Sequence, residues 1–517
     1  ATTAIPSLVG KVGWQGLRRG IASFRATRRK TFQIHSRPKG EQVAIRITKC
    51  NLALFWFVLF CIAPICRAAK PNIVFIYTDD QAPFAVNAAG DDRFITPNID
   101  RIFYEGAHLT NSFVTTPVCS PSRVGLIASI YGSEIGITDW INPNTEQQKG
   151  LPAELPAFPQ LFQQNGYRTA LFGKWHLGIQ DRHHPTRFGY DQFAGIRTGG
   201  CPPKDPTIEL LDGTVKKVEG YTCDIFTDHA LEFIAKEATN PFFLSLHFRA
   251  PHAAWLPVRP EDWEPFKDLD PEIPNPEYPN LNVELVKKRT REYLAAVKSI
   301  DRNVGRVLEL LKIEGIEENT IVIFTSDHGY NLGEHGVWYK GNAIRVLTEN
   351  PEMQWPNIPP QRRPNLWDTS IRVPTAIRWP GTISPGTSED RFFSNLDWFP
   401  TLLAMAEIEV PEDVVIRGRD YTTVLKGNAK KWTNEVFLQY SMHHGAKTDM
   451  RGLRTKRWKY MIDFANPGRS ELYDLKSDPN ELTNLVDSES RRNRTAKRRL
   501  SAATLEYMQQ IGDAAFK

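Results

Sequence analysis

An α/β fold is predicted for this chain: a large, mostly parallel mixed sheet flanked by helices, followed by a smaller C-terminal α+β part with an antiparallel sheet. Two observations carry that prediction. Up to Thr325, four short, apolar, β-rich runs alternate with amphipathic helical patterns, as strands buried on both faces of a sheet require. From about Asn434 the pattern shifts to short strand-like segments separated by turns and closed by one charged helix.

The strands of the first part are Asn72–Tyr77 (NIVFIY), Thr169–Phe172, Phe242–Phe248 (FFLSLHF) and Ile321–Thr325 (IVIFT). Each is short, rich in β-branched and aromatic residues, and followed by polar or turn-forming residues. Ile225–Ile234 reads as a helix. So does Glu292–Leu311, which aligns Leu294, Val297, Ile300, Val304, Val307 and Leu311 on one stripe. In the last part, Glu435–Tyr440, Gly452–Thr455, Trp458–Ile462 and Ser470–Leu475 are strand-like, and Arg498–Ile511 is the closing helix. The basic cluster Arg491–Arg499 is read as the solvated face of that helix. Ligands of open α/β sheets bind beyond the carboxyl ends of the strands, so the polar residues after each strand are expected to share one mouth.

Length and composition set the outer bounds. With 517 residues, 41% of them hydrophobic, the chain can bury a large core and fill two or three domains. The net charge of +5 is misleading: residues 1–49 hold roughly ten more basic than acidic side chains, with Glu41 as their one acid. The remainder is mildly negative, which argues against a nucleic-acid footprint. Leu52–Ala63 (LALFWFVLFCIA) follows Arg46 and Lys49 and precedes the small residues Cys66, Ala68 and Ala69. Such a run is short for a membrane span and fits a secretory signal peptide cleaved near Ala68 or Ala69, hence an exported protein. A lipid anchor at Cys66 is the weaker reading. The expected divisions are a basic extension (1–45), a signal peptide (46–69), a catalytic domain (70–430) and a C-terminal α+β subdomain (431–517). Of the six cysteines, Cys119, Cys201 and Cys223 fall in the mature part. Cys201 and Cys223 are candidates for a disulfide, which would leave Cys119 as the odd thiol.

The chemistry-bearing residues cluster after strands. Asp79 and Asp80 follow the first strand; adjacent buried carboxylates repel unless protonated or bridged by a cation, although an exposed Asp-Asp turn reads the same way locally. Asp327 and His328 follow the strand ending at Thr325-Ser326. Three carboxylates with an imidazole suit a hard cation, Ca²⁺ before Mg²⁺ or Mn²⁺. Lys174 and His176 follow the second strand, His252 the third, and Lys340 lies in a loop with Glu334, His335 and Trp338. Two lysines and two histidines beside such a cation form a pocket for an anionic group, with imidazoles able to move protons. Cys119-Ser120-Pro121-Ser122-Arg123 opens a helical pattern, where the positive field of a helix N-terminus and a nearby arginine would activate a thiol.

With these residues in place, the chain resembles the formylglycine-dependent sulfatases of the alkaline phosphatase superfamily. Cys119–Arg123 matches the family's Cys-x-Pro-Ser-Arg signature and Gly166–His176 (GYRTALFGKWH) its second signature. Lys70–Asp80, Thr96–Arg101, Pro251-His252, Ser326–Gly329, Ile371–Gly381, Leu396–Leu402 and Glu471–Leu485 match further stretches in family order, so the resemblance spans about residues 70–485. It implies an alkaline phosphatase-like fold and oxidation of Cys119 to formylglycine (3-oxoalanine) by a maturation enzyme. The hydrate of that aldehyde would attack sulfur, and its second hydroxyl would expel sulfate by C–O cleavage. It further implies that Asp79, Asp80, Asp327 and His328, with residue 119, hold the cation. Lys174 and Lys340 would grip sulfate oxygens, Arg123 would orient the diol and the ligands, His252 would protonate the leaving oxygen, and His176 would bond to residue 119.

The expected substrate is a sulfated small molecule or carbohydrate. Many relatives have Asn in place of His328; the Asp-His form is similar to the iduronate-sulfatase and phosphonate-hydrolase branches, which keeps phosphodiester or phosphonate hydrolysis as an alternative. A non-catalytic glycan binder with an unmodified Cys119 is the other. Ile127-Ala128-Ser129 replaces the family's usual Leu-Thr-Gly. A Pro-rich insertion between Lys340 and Ile371 carries Trp355, Arg362, Arg363 and Trp367, read either as a rim for an anionic sugar or as a plain surface loop.

Overall fold

A computed structural model describes residues 70–90 and 95–516. The basic extension, the signal peptide and Cys66 lie outside the described residues. Five parallel strands form the centre of a ten-stranded sheet, in the order Thr320–Ser326, Asn72–Thr78, Phe242–His247, Arg168–Lys174 and Gln192–Ile196. Short strands extend it on both sides, and Ala376–Arg378 runs antiparallel to Thr320–Ser326, which makes the sheet mixed.

The apolar runs form strands because both of their faces are covered. In Asn72–Thr78, Ile73, Phe75 and Tyr77 enter one core with Val124, Phe158, Phe399 and Leu402, while Val74 and Ile76 enter another with Phe226, Ile300, Val304 and Val307. Ile321 and Ile323 against Val322 and Phe324 repeat that alternation in the neighbouring strand. The long helix is Val283–Ile313, and all six residues of its predicted stripe are buried. Each such side chain contributes about 1.5–3 kcal/mol relative to exposure. Asn282 caps its start by accepting from the Leu285 amide at 3.1 Å, and Gly315, at φ +69°, follows its end.

The C-terminal part is an antiparallel meander of Glu435–Tyr440, Met450–Thr455, Trp458–Asp463 and Ser470–Asp474. Helix Arg491–Gln510 lies over it, burying Ala496, Leu500, Thr504 and Met508 at a four-residue spacing. That helix begins seven residues before the predicted start, and Arg491, Arg492, Arg494, Arg498 and Arg499 are exposed on its outer side. No helix among the described residues is long and apolar enough to cross a membrane.

The proposed disulfide is not formed: Cys201 and Cys223 are free thiols. Burial raises the pKa of both thiols.

Candidate active site

The parallel order sets the carboxyl ends of adjacent strands about 4.8 Å apart. Asp79-Asp80 and Asp327-His328 leave neighbouring strands, Lys174 ends a strand two places away, and His252 follows the strand between them. Helix Cys119–Ala128 closes the floor of the mouth. It is buried along its whole length, with Cys119 as its first residue. Ser120 fixes its start, donating to His176 O at 2.9 Å and accepting from the Ile141 amide at 3.0 Å. Ser122 donates to the Asp327 carbonyl. At the far end Ser129 takes the left-handed conformation (φ +54°) that favours glycine. Its hydroxyl donates to Leu396 O at 2.8 Å and accepts from Gly418 N at 2.9 Å, hydrogen bonds that help hold that conformation.

Around Cys119 the polar atoms converge. Its Sγ lies 3.5 Å from Asp79 Oδ1, 3.4 Å from His328 Nε2 and 3.3 Å from Lys340 Nζ. The Nδ1–H edge of His328 donates to Gly329 O at 3.0 Å. That bond orients the ring so that Nε2 faces Asp80 Oδ1 and Asp327 Oδ1, each at 3.2 Å. Lys174 Nζ sits 2.5 Å from Asp79 Oδ2, and Lys340 Nζ pairs with Asp80 Oδ1. Arg123 reaches Asp327 Oδ2 through Nε (3.2 Å) and Nη2 (3.0 Å), donates from Nη1 to Lys174 O (2.8 Å), and lies over the Tyr77 ring.

Burial opposes ionisation of Asp79 and Asp80, but the Lys174 ammonium holds the first well below the usual carboxylate range and the Lys340 ammonium lowers the second. Burial and the Asp79 carboxylate push Asp327 up to about 7. Burial, then Asp79, also raises the Cys119 thiol. The activating helix field expected from sequence is therefore outweighed: the thiol is enclosed beside an acid, and its first-turn position does not make it a thiolate.

The donor set fits a divalent cation. Asp79, Asp80, Cys119 and His328 each offer an atom within 4.8 Å of the others, and Asp80 Oδ2 is buried without a hydrogen-bond partner. Asp327 lies outside that group of four: its Oδ1 is 3.2 Å from His328 Nε2 and accepts from the Asp80 amide at 3.1 Å, while Arg123 occupies Oδ2. Asp80, at φ +73°, and His176, at φ +60°, both hold left-handed backbone conformations at this mouth.

The remaining predicted residues divide. His252 lines the cavity above Cys119; its Nδ1 bonds to Ala253 O at 2.6 Å, leaving Nε2 free, 4.0 Å from Asp80 Oδ2. Burial lowers its pKa to about 4. His176 also lines the cavity, but its Nε2 meets Ile141 O at 3.1 Å rather than residue 119, and its Nδ1 is buried without a partner. His335 stacks on Trp367 at 3.8 Å, and Glu334 accepts from the Leu332 amide, so both brace the loop. Of the insertion, Arg362 lines the cavity. Arg363 pairs with Glu471, and Trp355 lies under Arg469.

The cavity above Cys119 measures about 790 Å³. Sequence reasoning missed most of its wall, including Trp140, Asn142, Asn342, His443 and His444. It also missed Asn395, whose amide donates to Ser122 O and accepts from Thr115 N. The tandem histidines were the one available signal.

Residues 71–408 match the sequence profile of the Sulfatase family, and residues 362–508 that of the N-sulphoglucosamine sulphohydrolase C-terminal region. N-acetylglucosamine-6-O-sulfatase of Bacteroides thetaiotaomicron is 27% identical over 502 residues, covering 80% of this chain and 82% of its own. Ulvan-active sulfatase of Formosa agariphila is 28% identical over 459 residues, covering 86% and 82%. Human steryl-sulfatase is 26% identical over 443 residues, covering 72% of each. A solved structure described as a complex with its substrate D-glucosamine-2-N,6-O-disulfate has a TM-score of 0.72 at 25% identity, covering 86% of this chain and 99% of its own. With the family profile matching well over half of its length, the chain belongs to the sulfatase family and is a sulfuric ester hydrolase.

Proposed function

We propose that this protein hydrolyses a sulfate ester of a sulfated saccharide, using residue 119 after oxidation of Cys119 to formylglycine, with a divalent cation held by Asp79, Asp80, Asp327 and His328. The supporting observation is the convergence of Asp79, His328 and Lys340 on Cys119 Sγ at 3.3–3.5 Å, at the floor of an open cavity. The sulfur stands where the hydrated aldehyde would present its oxygens. When bound, the cation would supply Lewis-acid polarisation of a sulfate oxygen and a lowered pKa for the attacking hydroxyl; Ca²⁺ suits the oxygen donors best, before Mg²⁺ or Mn²⁺. The formylglycine hydrate would supply that hydroxyl, and a second one whose deprotonation releases sulfate.

The chain's own groups do the rest. Lys174 and Lys340 place two ammonium groups beside residue 119, where negative charge on the sulfate oxygens is met by donors already in position. His252 presents Nε2 at the cavity, 4.0 Å from Asp80 Oδ2; burial keeps the resting ring neutral, so it would protonate the departing alcohol oxygen only after taking up a proton beside the bound anionic ester. Arg123 acts on Asp327, holding one carboxylate oxygen so that the other faces inward. His176 borders residue 119 and anchors the Ser120 turn through its carbonyl.

A saccharide suits the cavity better than a flat apolar alcohol. Its wall carries Asn142, Asn144, Thr198, Asn342 and two histidines beside Trp140 and Tyr339. Two of the relatives named above are an N-acetylglucosamine-6-O-sulfatase and an ulvan-active sulfatase, which supports the same reading. Residues 70–430 would form the catalytic domain and 431–517 a subdomain lending His443 and His444 to the cavity. The protein would be exported and matured by a formylglycine-generating enzyme.

Mass spectrometry of the peptide containing residue 119, from a host with the maturation enzyme, tests the reading together with turnover of aryl sulfate and aryl phosphodiester. An aldehyde at 119 with preference for the sulfate supports it. An intact, alkylatable thiol would indicate a binding protein, and a large preference for the phosphodiester would indicate a phosphoesterase.

A further inference from the structure

The chemistry above uses the floor of the cavity and leaves its wall unexplained. No aspartate or glutamate lines the cavity, and its two permanent cations are Lys340 and Arg362. Lys340 is engaged with Asp80. Arg362 is half-buried; its Nη1 donates to Asn342 O at 3.3 Å. Its guanidinium lies against Gly445, where a β-carbon would stand 3.0 Å from Nη2, so the absence of a side chain there leaves it room.

Among the described residues no carboxylate is within ion-pairing distance of Arg362. By contrast Arg363, next in sequence, pairs with Glu471, and Arg454 and Arg469 pair with Asp368 and Asp463. A partly desolvated guanidinium in an acid-free cavity lacks the counter-charge that would offset its dehydration. Its planar fork matches two oxygens of a sulfate or carboxylate. On the same cavity wall the Trp140 and His444 rings lie 4.5 Å apart, a surface on which a sugar ring can rest. Two acids stand behind this wall and both are occupied: Asp139 accepts from the Trp140, His443 and His444 amides and from the Tyr440 hydroxyl, and Glu146 meets His443 at 3.1 Å, His444 at 3.0 Å and Lys149 at 2.7 Å.

We propose that Arg362 anchors a second anion subsite, so that the preferred substrate is a saccharide carrying a further sulfate or carboxylate besides the ester that is cleaved. This rests on the sulfatase reading but is tested by binding alone. Isothermal calorimetry on the full chain with Cys119→Ala would compare three probes: a monosulfated saccharide with no other charge, its counterpart with a second sulfate, and its counterpart with a uronate. The second anion should tighten binding about ten- to hundred-fold, the range of a charge-assisted contact. Arg362→Gln in the same background should erase that gain while melting like its parent, because no ion pair is broken. The stronger of the two anionic probes identifies the group. Equal affinities for all three probes, or a gain that survives Arg362→Gln, would overturn the proposal. Failure of the sulfatase reading is separate, since it would show as absent aryl sulfate turnover in the wild type.

Discussion

Gly125→Ala is the sharpest test of how residue 119 is positioned. The helix that begins at Cys119 lies against the segment Ser394–Asp397, and Gly125 is the contact: a β-carbon there would stand 2.6 Å from Asn395 Nδ2 and 3.1 Å from Leu396 Cδ2. Asn395 cannot simply rotate away, because Nδ2 donates to Ser122 O at 2.9 Å and Oδ1 accepts from Thr115 N at 3.0 Å. Alanine gains about 1 kcal/mol of helix propensity. Against that stand about 1–3 kcal/mol for overpacking and about 1–3 kcal/mol if the Asn395 bonds are lost. The net destabilisation with both losses is about 1–5 kcal/mol. For roughly 450 ordered residues the unfolding entropy is about 0.9 kcal/mol per kelvin, so the melting temperature should fall by about 1–5 °C. The helix must shift by tenths of an ångström, carrying residue 119 away from Lys340 and His328, and turnover of aryl sulfate should drop about ten-fold or more. Calorimetric melting and steady-state kinetics on the same preparation measure both effects. An unchanged or higher melting temperature with wild-type turnover would show that the helix is not wedged and that the tight contact has no role.

Other outcomes follow from the same geometry. Cys119→Ala should abolish turnover and move the melting temperature by no more than about 1 °C, since one small side chain bordering the cavity is removed; residual turnover would refute the nucleophile assignment. Chelation should abolish turnover and lower the melting temperature by about 3 °C, the effect of losing about 2.7 kcal/mol from an ion present at a hundred times its dissociation constant, and added Ca²⁺ should restore both; indifference to chelator would remove the cation from the argument. Glu146 is held down at about 2: burial raises it, but the Asn142 amide, Lys149, His443 and His444 outweigh that. A depressed acid adds stability above its unfolded value near 4.5 and loses it as pH falls toward 2. Glu146→Gln should therefore lie closer to wild type in acid urea titrations at pH 2–3 than at pH 6, and a constant difference across that range would contradict the pairing.

How much of this was legible beforehand depended on where the physics acts. The central strands were readable because burial on both faces demands uninterrupted apolar runs such as NIVFIY. Asp79, Asp80, Lys174, His176, His252, Asp327 and His328 were readable because they sit within a few positions of those strand ends, whereas Cys119 and Arg123 were readable only from the motif that opens their helix. The long helix was readable only along its stripe: in Val283–Arg291 the buried positions are Val286 and Thr290, too sparse for periodicity to show, and the start is set by the Asn282 cap. The insertion misled for a different reason. Trp367 and Arg363 look like a sugar-binding rim in sequence, yet Trp367 stacks on His335 and Arg363 pairs with Glu471, which is 108 residues away. Partners that distant leave no local trace, and the same holds for a cavity wall drawn from residues near 140, 362 and 443.

The choice of cation at each position divides scaffold from working group. Asp79, Asp80 and Asp327 are matched in the buried cluster by Lys174, Lys340 and Arg123, so these carboxylates and cations balance among themselves. A balanced cluster has little reason to attract an anionic ester; a divalent ion among the acids would leave it net positive and weaken the hold of each acid on its lysine. Arg123 cannot answer that change. Its fork is tied to Asp327 and to the Lys174 carbonyl by three bonds, with Tyr77 beneath. The lysines could, because an ammonium on a four-carbon stem is a point charge that can move from a carboxylate to a sulfate oxygen. In the proposed reaction the arginine would hold Asp327 rigidly and the lysines would exchange partners, the Lys174–Asp79 contact giving way to substrate.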